Sequence, residues 1–273
     1  MESDAYLLGT HEIELNRLQL QDRLWQKQTQ ALWERASIAP GASVLELGCG
    51  PGFSTMGLAQ RVGSSGRILG WDRSAHYLAH LQVQAAANET PWVETHQGDV
   101  TPDPPVELHE QFDALYSRWL LCWMERPADA LELAWKALRP GGRIALFDYF
   151  HYDALELFPV DPAFRFGIEA VQQAWRDSRG DPSIGLHLPS LLQQIGFEIT
   201  DSELVTRHAT PRDPLWQWPM SFFPEFMPTL VDSGHLTPAA SDAFLAAFQR
   251  SEEHPQGHFL TPPMLSIVAT KPR

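Results

Sequence analysis

The chain has 273 residues, with 34 acidic side chains against 20 basic ones and two cysteines, for a formal charge of −14. That acidity disfavours a nucleic-acid partner, whose phosphates need a basic surface, and two cysteines without scaffold spacing make neither a metal cluster nor a disulfide framework. No apolar run approaches the ~20 residues of a membrane span and the acidic start Met1-Glu2-Ser3-Asp4 leads into no signal-peptide core, so we expect a reduced, cytoplasmic setting, no membrane and a small ligand.

Residues 11–36 place Ile13, Leu15, Leu18, Leu20, Leu24, Trp25, Leu32 and Trp33 at near-helical intervals, which predicts one long or broken amphipathic helix. After Pro40-Gly41, residues 44–47 form a short apolar run broken by Glu46 and read as a strand buried on both faces. Gly48, Gly50 and Gly52 follow at alternate positions, and residues 53–62 return to helical spacing. Strand, glycine turn and helix in this order open a nucleotide-binding α/β sheet, where the backbone approaches the ligand and the helix N-terminus faces it. The spacing is not the dinucleotide pattern G-x-G-x-x-G, because Phe53 stands where its third glycine belongs. Glu46 would repel a diphosphate and suits a cationic ligand such as S-adenosylmethionine, which carries a sulfonium, an ammonium group and no phosphate.

Residues 66–72 read as a second buried strand ending in Asp72, 20 positions after Gly52. An acidic residue at that distance accepts hydrogen bonds from both ribose hydroxyls, while Ser74 is better placed to cap the helix 74–87. Residues 92–100 form a third strand running into Gly98-Asp99, and residues 112–117 a fourth, followed directly by Arg118 and Trp119. Pro127 opens a helix at 127–138, and Pro140-Gly141-Gly142 turns into a fifth strand ending near Asp148.

The run E-x-G-x-G-x-G at Glu46 to Gly52, the spaced Asp72 and Asp99, and L-R-P-G-G-R at 138–143 resemble the class I S-adenosylmethionine-dependent methyltransferases, in particular the group that includes ubiquinone and menaquinone biosynthesis enzymes. The resemblance covers residues 40–150 with specific motifs and the remainder in topology. It implies S-adenosylmethionine as cofactor, held by Glu46, Gly48, Cys49, Gly50 and Gly52, with Asp72 and Arg73 at the ribose. Gly98, Asp99 and Val100 fall at the adenine, and Ser117, Arg118 and Trp119 beside the methionine portion, where Arg118 reads equally as a structural ion pair. The N-terminal segment often lies over the cofactor in this family, which makes Tyr6, Arg23 and Trp25 further candidates.

Beyond residue 150 the pattern changes. Asp161-Pro162 starts an inserted helix to about Arg176, Arg179-Gly180-Asp181-Pro182 is a loop, and a short helix at 188–195 ended by Gly196 precedes a strand at 197–206. Residues 208–236 interleave five aromatic side chains with five prolines and are too apolar for a linker. Thr237-Pro238 starts another helix, and residues 264–270 supply a last strand. The order implies an α/β, doubly wound, Rossmann-like sheet of seven strands, with the last strand antiparallel between the fifth and the sixth by resemblance. The domain reading is an N-terminal helical segment at 1–36 over the cofactor, and a core at 37–150 completed by 188–207 and 262–273. A helical and aromatic cap from 151–187 and 208–261 covers the substrate.

Methyl transfer from a sulfonium is an in-line displacement in which the protein chiefly positions the reactants. His151, after the fifth strand, is the candidate general base, and Tyr149, Tyr152, Trp216, Trp218, Phe222 and Phe223 are the candidate substrate contacts. No metal motif is present. The expected function is methylation of an O, N or C atom of a small, apolar or aromatic metabolite. A catalytically silent scaffold and a nucleotide-dependent oxidoreductase are the alternatives. Residues 1–30 and 208–236 are expected to order over the site when cofactor binds.

Overall fold

The computed structural model describes residues 12–273; Tyr6 lies outside them. Helix α1, Glu12–Arg35, carries Glu12 and Glu14 in its first turn and Arg35 in its last, which matches the helix dipole at both ends. Next come strand β1, Ser43–Leu47, helix α2, Phe53–Val62, strand β2, Arg67–Asp72, and helix α3, Ala75–Ala87. Ser74 caps α3 by accepting from the Tyr77 backbone N–H. Strands β3, Val93–Gln97, and β4, Phe112–Arg118, precede helix α4, Pro127–Ala137, which has proline in its first turn. Strand β5, Leu138–Tyr149, starts ahead of the Pro-Gly-Gly turn, and the β4–β5 register shifts there between Phe112 and Ala114.

The second half contains strand β6, Glu156–Phe158, helix α5, Pro162–Asp177, helix α6, Leu188–Ile195, strand β7, Glu198–Val205, and strand β8, His208–Ala209. Helices α7, Gln217–Asp232, and α8, Pro238–Glu253, and strands β9, His258–Leu260, and β10, Met264–Thr270, complete it. Asp161 and Thr237 cap α5 and α8 through their side chains, and Gly196 ends α6 at a φ of 116°.

The main sheet has the order β3-β2-β1-β4-β5-β10-β7, with β10 antiparallel to both neighbours, as the family resemblance implied. Burial on both faces explains why Val44, Leu45, Ile144, Ala145, Ile267 and Val268 read as unbroken apolar runs. Two features differ from the sequence reading. A second sheet, β6-β9-β8, ties the inserted segments together, and its strands are too short to leave a periodic signal. The proline-dense segment forms α7, with Pro224 and Pro228 inside the helix. Each proline removes a helical hydrogen bond, but Phe223, Phe226, Met227 and Leu230 of the same helix are buried, and packing outweighs the local preference. Among the described residues no helix is long and apolar enough to cross a membrane.

Candidate functional site

The carboxyl ends of β1, β2, β4 and β5 open into a cavity of about 670 Å³, roofed by α1, the end of α5 and the start of α7. In one half the glycine turn after β1 is fixed by Gly48 and Cys49, whose N–H groups donate to the Trp71 carbonyl at 2.8 and 3.2 Å. Gly52 sits at φ 89°, and a Cβ there would collide with the Leu81 side chain, so only glycine fits. A Cβ on Gly50 would meet nothing within 4 Å, and this stretch of backbone lines the cavity.

Asp72 at the end of β2 accepts from the Gly50 N–H at 2.9 Å through Oδ2 and from the Ser74 N–H at 2.8 Å through Oδ1. Burial pushes its carboxyl above the usual range, and each oxygen keeps a second lone pair for a ligand hydroxyl. Trp71 Nε1 donates to the Gly98 carbonyl at 2.8 Å and so holds the turn that carries Asp99 and Val100 along the cavity.

Glu46 is the most unusual charge in the wall. It is 2% exposed, its Oε1 accepts from Ser54 Oγ at 2.5 Å, and its Oε2 is buried with no partner. Loss of hydration raises its pKa to about 7, against the hydrogen bond from Ser54 and the charge of Arg118, which lower it. Arg118, at the end of β4, is tied to α1: it donates to Asp22 at 2.7 Å and to Thr29 at 2.8 Å while lining the cavity. It is therefore both a structural ion pair and a wall residue. Burial pushes the Cys49 thiol up as well, so it stays protonated beside the turn.

The other half is aromatic. Trp119, held at φ 52° just after β4, places its indole at 25° to Trp218 and 29° to Tyr149. Trp123 stacks on Trp175 with ring centroids 4.0 Å apart, and Trp175 meets Tyr149 and Tyr152 edge-on. From α1, Gln21 accepts from Trp218 Nε1 at 3.0 Å, and Arg17 lies over the Phe222 ring at 5.6 Å.

Of the residues singled out from sequence, Glu46, Gly48, Cys49, Gly50, Asp72 and Arg73 line the cavity. So do Gly98, Asp99, Val100, Arg118 and Trp119, and on the aromatic side Tyr149, Tyr152, Trp218, Phe222 and Phe223. Six of the chosen residues do not. Trp25 is fully buried behind the wall against Trp119, Phe147 and Trp218. Ser117 points back into the sheet and donates to the Leu47 carbonyl at 3.0 Å. Gly52 packs on Leu81, Trp216 packs on Phe248 and Phe259 in the cap, and His151 is exposed because the chain turns at once into the short helix Tyr152–Ala154. Arg23 is exposed too. Sequence reasoning missed Arg17, Gln21, Trp123 and Trp175. The first two stand eight and four positions before Trp25 on one stripe of α1, a spacing that identifies them once the stripe is known to face the cavity.

The profile of a family described as methyltransferase domain matches residues 44–142. A trans-aconitate 2-methyltransferase from Deinococcus radiodurans is 40% identical over 39% of this chain and 38% of its own. A 2-phytyl-1,4-naphtoquinone methyltransferase from Thermosynechococcus vestitus is 32% identical over 58% of this chain and 73% of its own. Several curated relatives are spanned by this chain over only 28–38% of their length. The solved structure of geranyl diphosphate C-methyltransferase from Streptomyces coelicolor A3(2) superposes with a TM-score of 0.58 at 16% identity, covering 91% of this chain and 77% of the other, and shares the fold.

Proposed function

Because this chain belongs to the class I S-adenosylmethionine-dependent methyltransferase family, we propose that it binds S-adenosylmethionine and moves its methyl group to an O, N or C atom of a small, apolar or aromatic acceptor. The observation that carries this reading is Glu46, a buried carboxylate at the glycine turn with one oxygen lacking a partner. A cation fits beside such a group, and the cofactor's methionine end offers an ammonium. A diphosphate would face Glu46, Asp72 and Asp99 on one cavity, which argues against a dinucleotide. In this reading Asp72 takes the ribose hydroxyls and Asp99 with Val100 takes the adenine.

When bound, S-adenosylmethionine supplies a methyl carbon already activated by the sulfonium. What remains for the chain is to hold the acceptor in line and exclude water, an effect that contributes several kcal/mol through orientation alone. Trp119, which stacks on Tyr149 and lies under the Arg118 guanidinium, supports that role. Among the described residues no histidine lines the cavity, so the acceptor is best taken as already nucleophilic on arrival rather than deprotonated by His151. The two buried, free cysteines support a reducing, cytoplasmic setting, and the acidic composition supports a small molecule as partner rather than a nucleic acid. Calorimetry with S-adenosylhomocysteine, with oxidised nicotinamide dinucleotide as control, tests the reading. Saturable binding of the first alone is expected; no binding of it at millimolar concentration would sink the proposal.

A further inference from the structure

The turn that carries two of the cavity tryptophans hangs on a carboxylate outside the cavity. The Trp119 N–H donates to the Phe147 carbonyl at 2.9 Å as β4 leaves the sheet, and the chain then turns through Trp119, at φ 52°, into the short helix Leu121–Trp123. Asp148 continues β5 past that last bond. It is 0% exposed and does not line the cavity. Its Oδ2 accepts from the Cys122 N–H at 3.3 Å and its Oδ1 from the Tyr149 N–H at 2.9 Å, and among the described residues it forms no ion pair.

The Cys122 peptide is held on its other side too. Its carbonyl accepts from Trp175 Nε1, near the end of α5, at 2.9 Å and from the Asp181 N–H, in the loop that follows, at 2.8 Å. Beside it Trp123 stacks on Trp175 with planes 20° apart, and both rings line the cavity. One peptide thus joins β5, the turn after β4 and the end of α5, next to the ring pair that gives the aromatic half a flat wall.

Burial pushes the Asp148 carboxyl up to about 6, so it is ionised at neutral pH. A buried charge with no countercharge opposes folding, and an apolar side chain would avoid that penalty, so packing alone does not account for Asp148. What the carboxylate adds is two acceptor oxygens, one for each N–H. An asparagine has one oxygen and would turn its NH2 toward one of the two donors.

Resting on the methyltransferase reading of the same cavity, we propose that Asp148 is a positioning residue for the acceptor: through the Cys122 peptide it fixes the Trp123–Trp175 pair against which an apolar acceptor lies flat. It touches neither acceptor nor donor and exchanges no proton. Binding walls hold a ligand in line only when their own side chains are locked by such supporting bonds.

The test compares the full chain with Asp148→Asn by three measurements. Near-ultraviolet circular dichroism reads the ring pair, whose share of the signal is the part missing from Trp123→Phe. Fluorescence titration with 6-propionyl-2-(dimethylamino)naphthalene, a neutral planar probe, reads the wall, and calorimetry with S-adenosylhomocysteine reads the other half of the cavity. Asp148→Asn should lose about half or more of the pair's signal and bind the naphthalene about tenfold more weakly, with S-adenosylhomocysteine affinity within about twofold of wild type. A merely structural role would lower the melting temperature and leave the two ligands' affinities in their wild-type ratio. A folded variant with the wild-type signal or the wild-type naphthalene affinity, equal weakening of both ligands, or no naphthalene binding by the wild type each overturns the proposal. Should Asp148→Asn not fold, Asp148→Ser takes its place, and failure of both to fold overturns the proposal in favour of a role in folding alone. Absence of S-adenosylhomocysteine binding by the wild type, with the signal and naphthalene results as expected, would instead remove the methyl-donor reading and leave Asp148 positioning a wall for an apolar ligand.

Discussion

Ser54 Oγ donates to Glu46 Oε1 at 2.5 Å, and that bond leaves Oε2 of the same carboxylate buried and unpartnered. Burial raises the Glu46 pKa from its ordinary 4.5 to about 7. Between those values the folded protein keeps a proton that the unfolded chain has released, so Glu46 favours folding below pH 4.5 and that contribution is lost as pH rises through about 7. The whole effect is on the order of 3 kcal/mol. Glu46→Gln should therefore resist denaturant better than the wild type at pH 8, with the difference shrinking toward pH 5. A cation binds best to the ionised form, so wild-type affinity for S-adenosylhomocysteine should fall by up to about tenfold per pH unit below 7. Denaturant melts and calorimetry across pH check both, and a flat affinity profile would contradict the assignment.

Asp72 has two tasks. Asp72→Ala should weaken S-adenosylhomocysteine by roughly 1.5–3 kcal/mol, through lost charge-assisted bonds to the ribose. It should also destabilise the free protein by about 1–3 kcal/mol, because the Gly50 and Ser74 N–H groups lose their acceptor. Calorimetry and melting of the same variant separate the two effects; unchanged affinity would remove the ribose role while leaving the structural one.

Removal of Asp22 leaves Arg118 without its carboxylate partner. Asp22→Ala should cost about 3 kcal/mol and loosen α1 against the sheet. Hydrogen exchange should show faster exchange in α1 of the variant. In the wild type, S-adenosylhomocysteine should add protection to α1 and α7 and leave β1 and β5 unchanged. Protection gained only at the glycine turn would mean an open, preformed cleft.

Two neighbouring tryptophans should behave differently. Trp218 lines the cavity, whereas Trp216 is packed against Phe248 and Phe259 and does not. Trp218→Ala is expected to raise the acceptor KM with donor affinity nearly unchanged. Trp216→Ala should lower stability by about 3–5 kcal/mol, with any folded fraction keeping its KM. Steady-state kinetics beside thermal melts distinguish the pair.

The glycine-turn side of the cavity was legible because its signals are local. Val44 to Leu47 is a short apolar run, the glycines set their own turn, and Asp72 and Asp99 follow strands that carry clear patterns. The aromatic side was only partly legible. Trp123 and Trp175 stack although they stand on segments far apart in sequence, and neither run signals the other. His151 and Trp216 lie off the cavity because a residue type does not fix which way its side chain turns after a strand or inside a cap. Helix α7 stayed hidden behind Pro224 and Pro228, whose local cost is met by contacts with other elements. Trp25 shares a helical stripe with Arg17 and Gln21 but lies one turn past the cavity, a distinction that needs the helix's position on the sheet.

The placement of β10 has a consequence for how the chain acquires its structure. β5 ends at Tyr149, but the neighbour that pairs along it from Arg143 to Tyr149 is β10, which starts at Met264. Until that strand arrives, one edge of the apolar β5 and one edge of the more polar β7 present unpaired N–H and C=O groups, the kind of edge that recruits other chains. Such long-range closure is slow, and the intermediate that awaits it is prone to aggregate. Refolding yield should therefore fall with protein concentration, and substitutions in Met264–Thr270 should reduce yield more steeply than equal core losses elsewhere in the sheet.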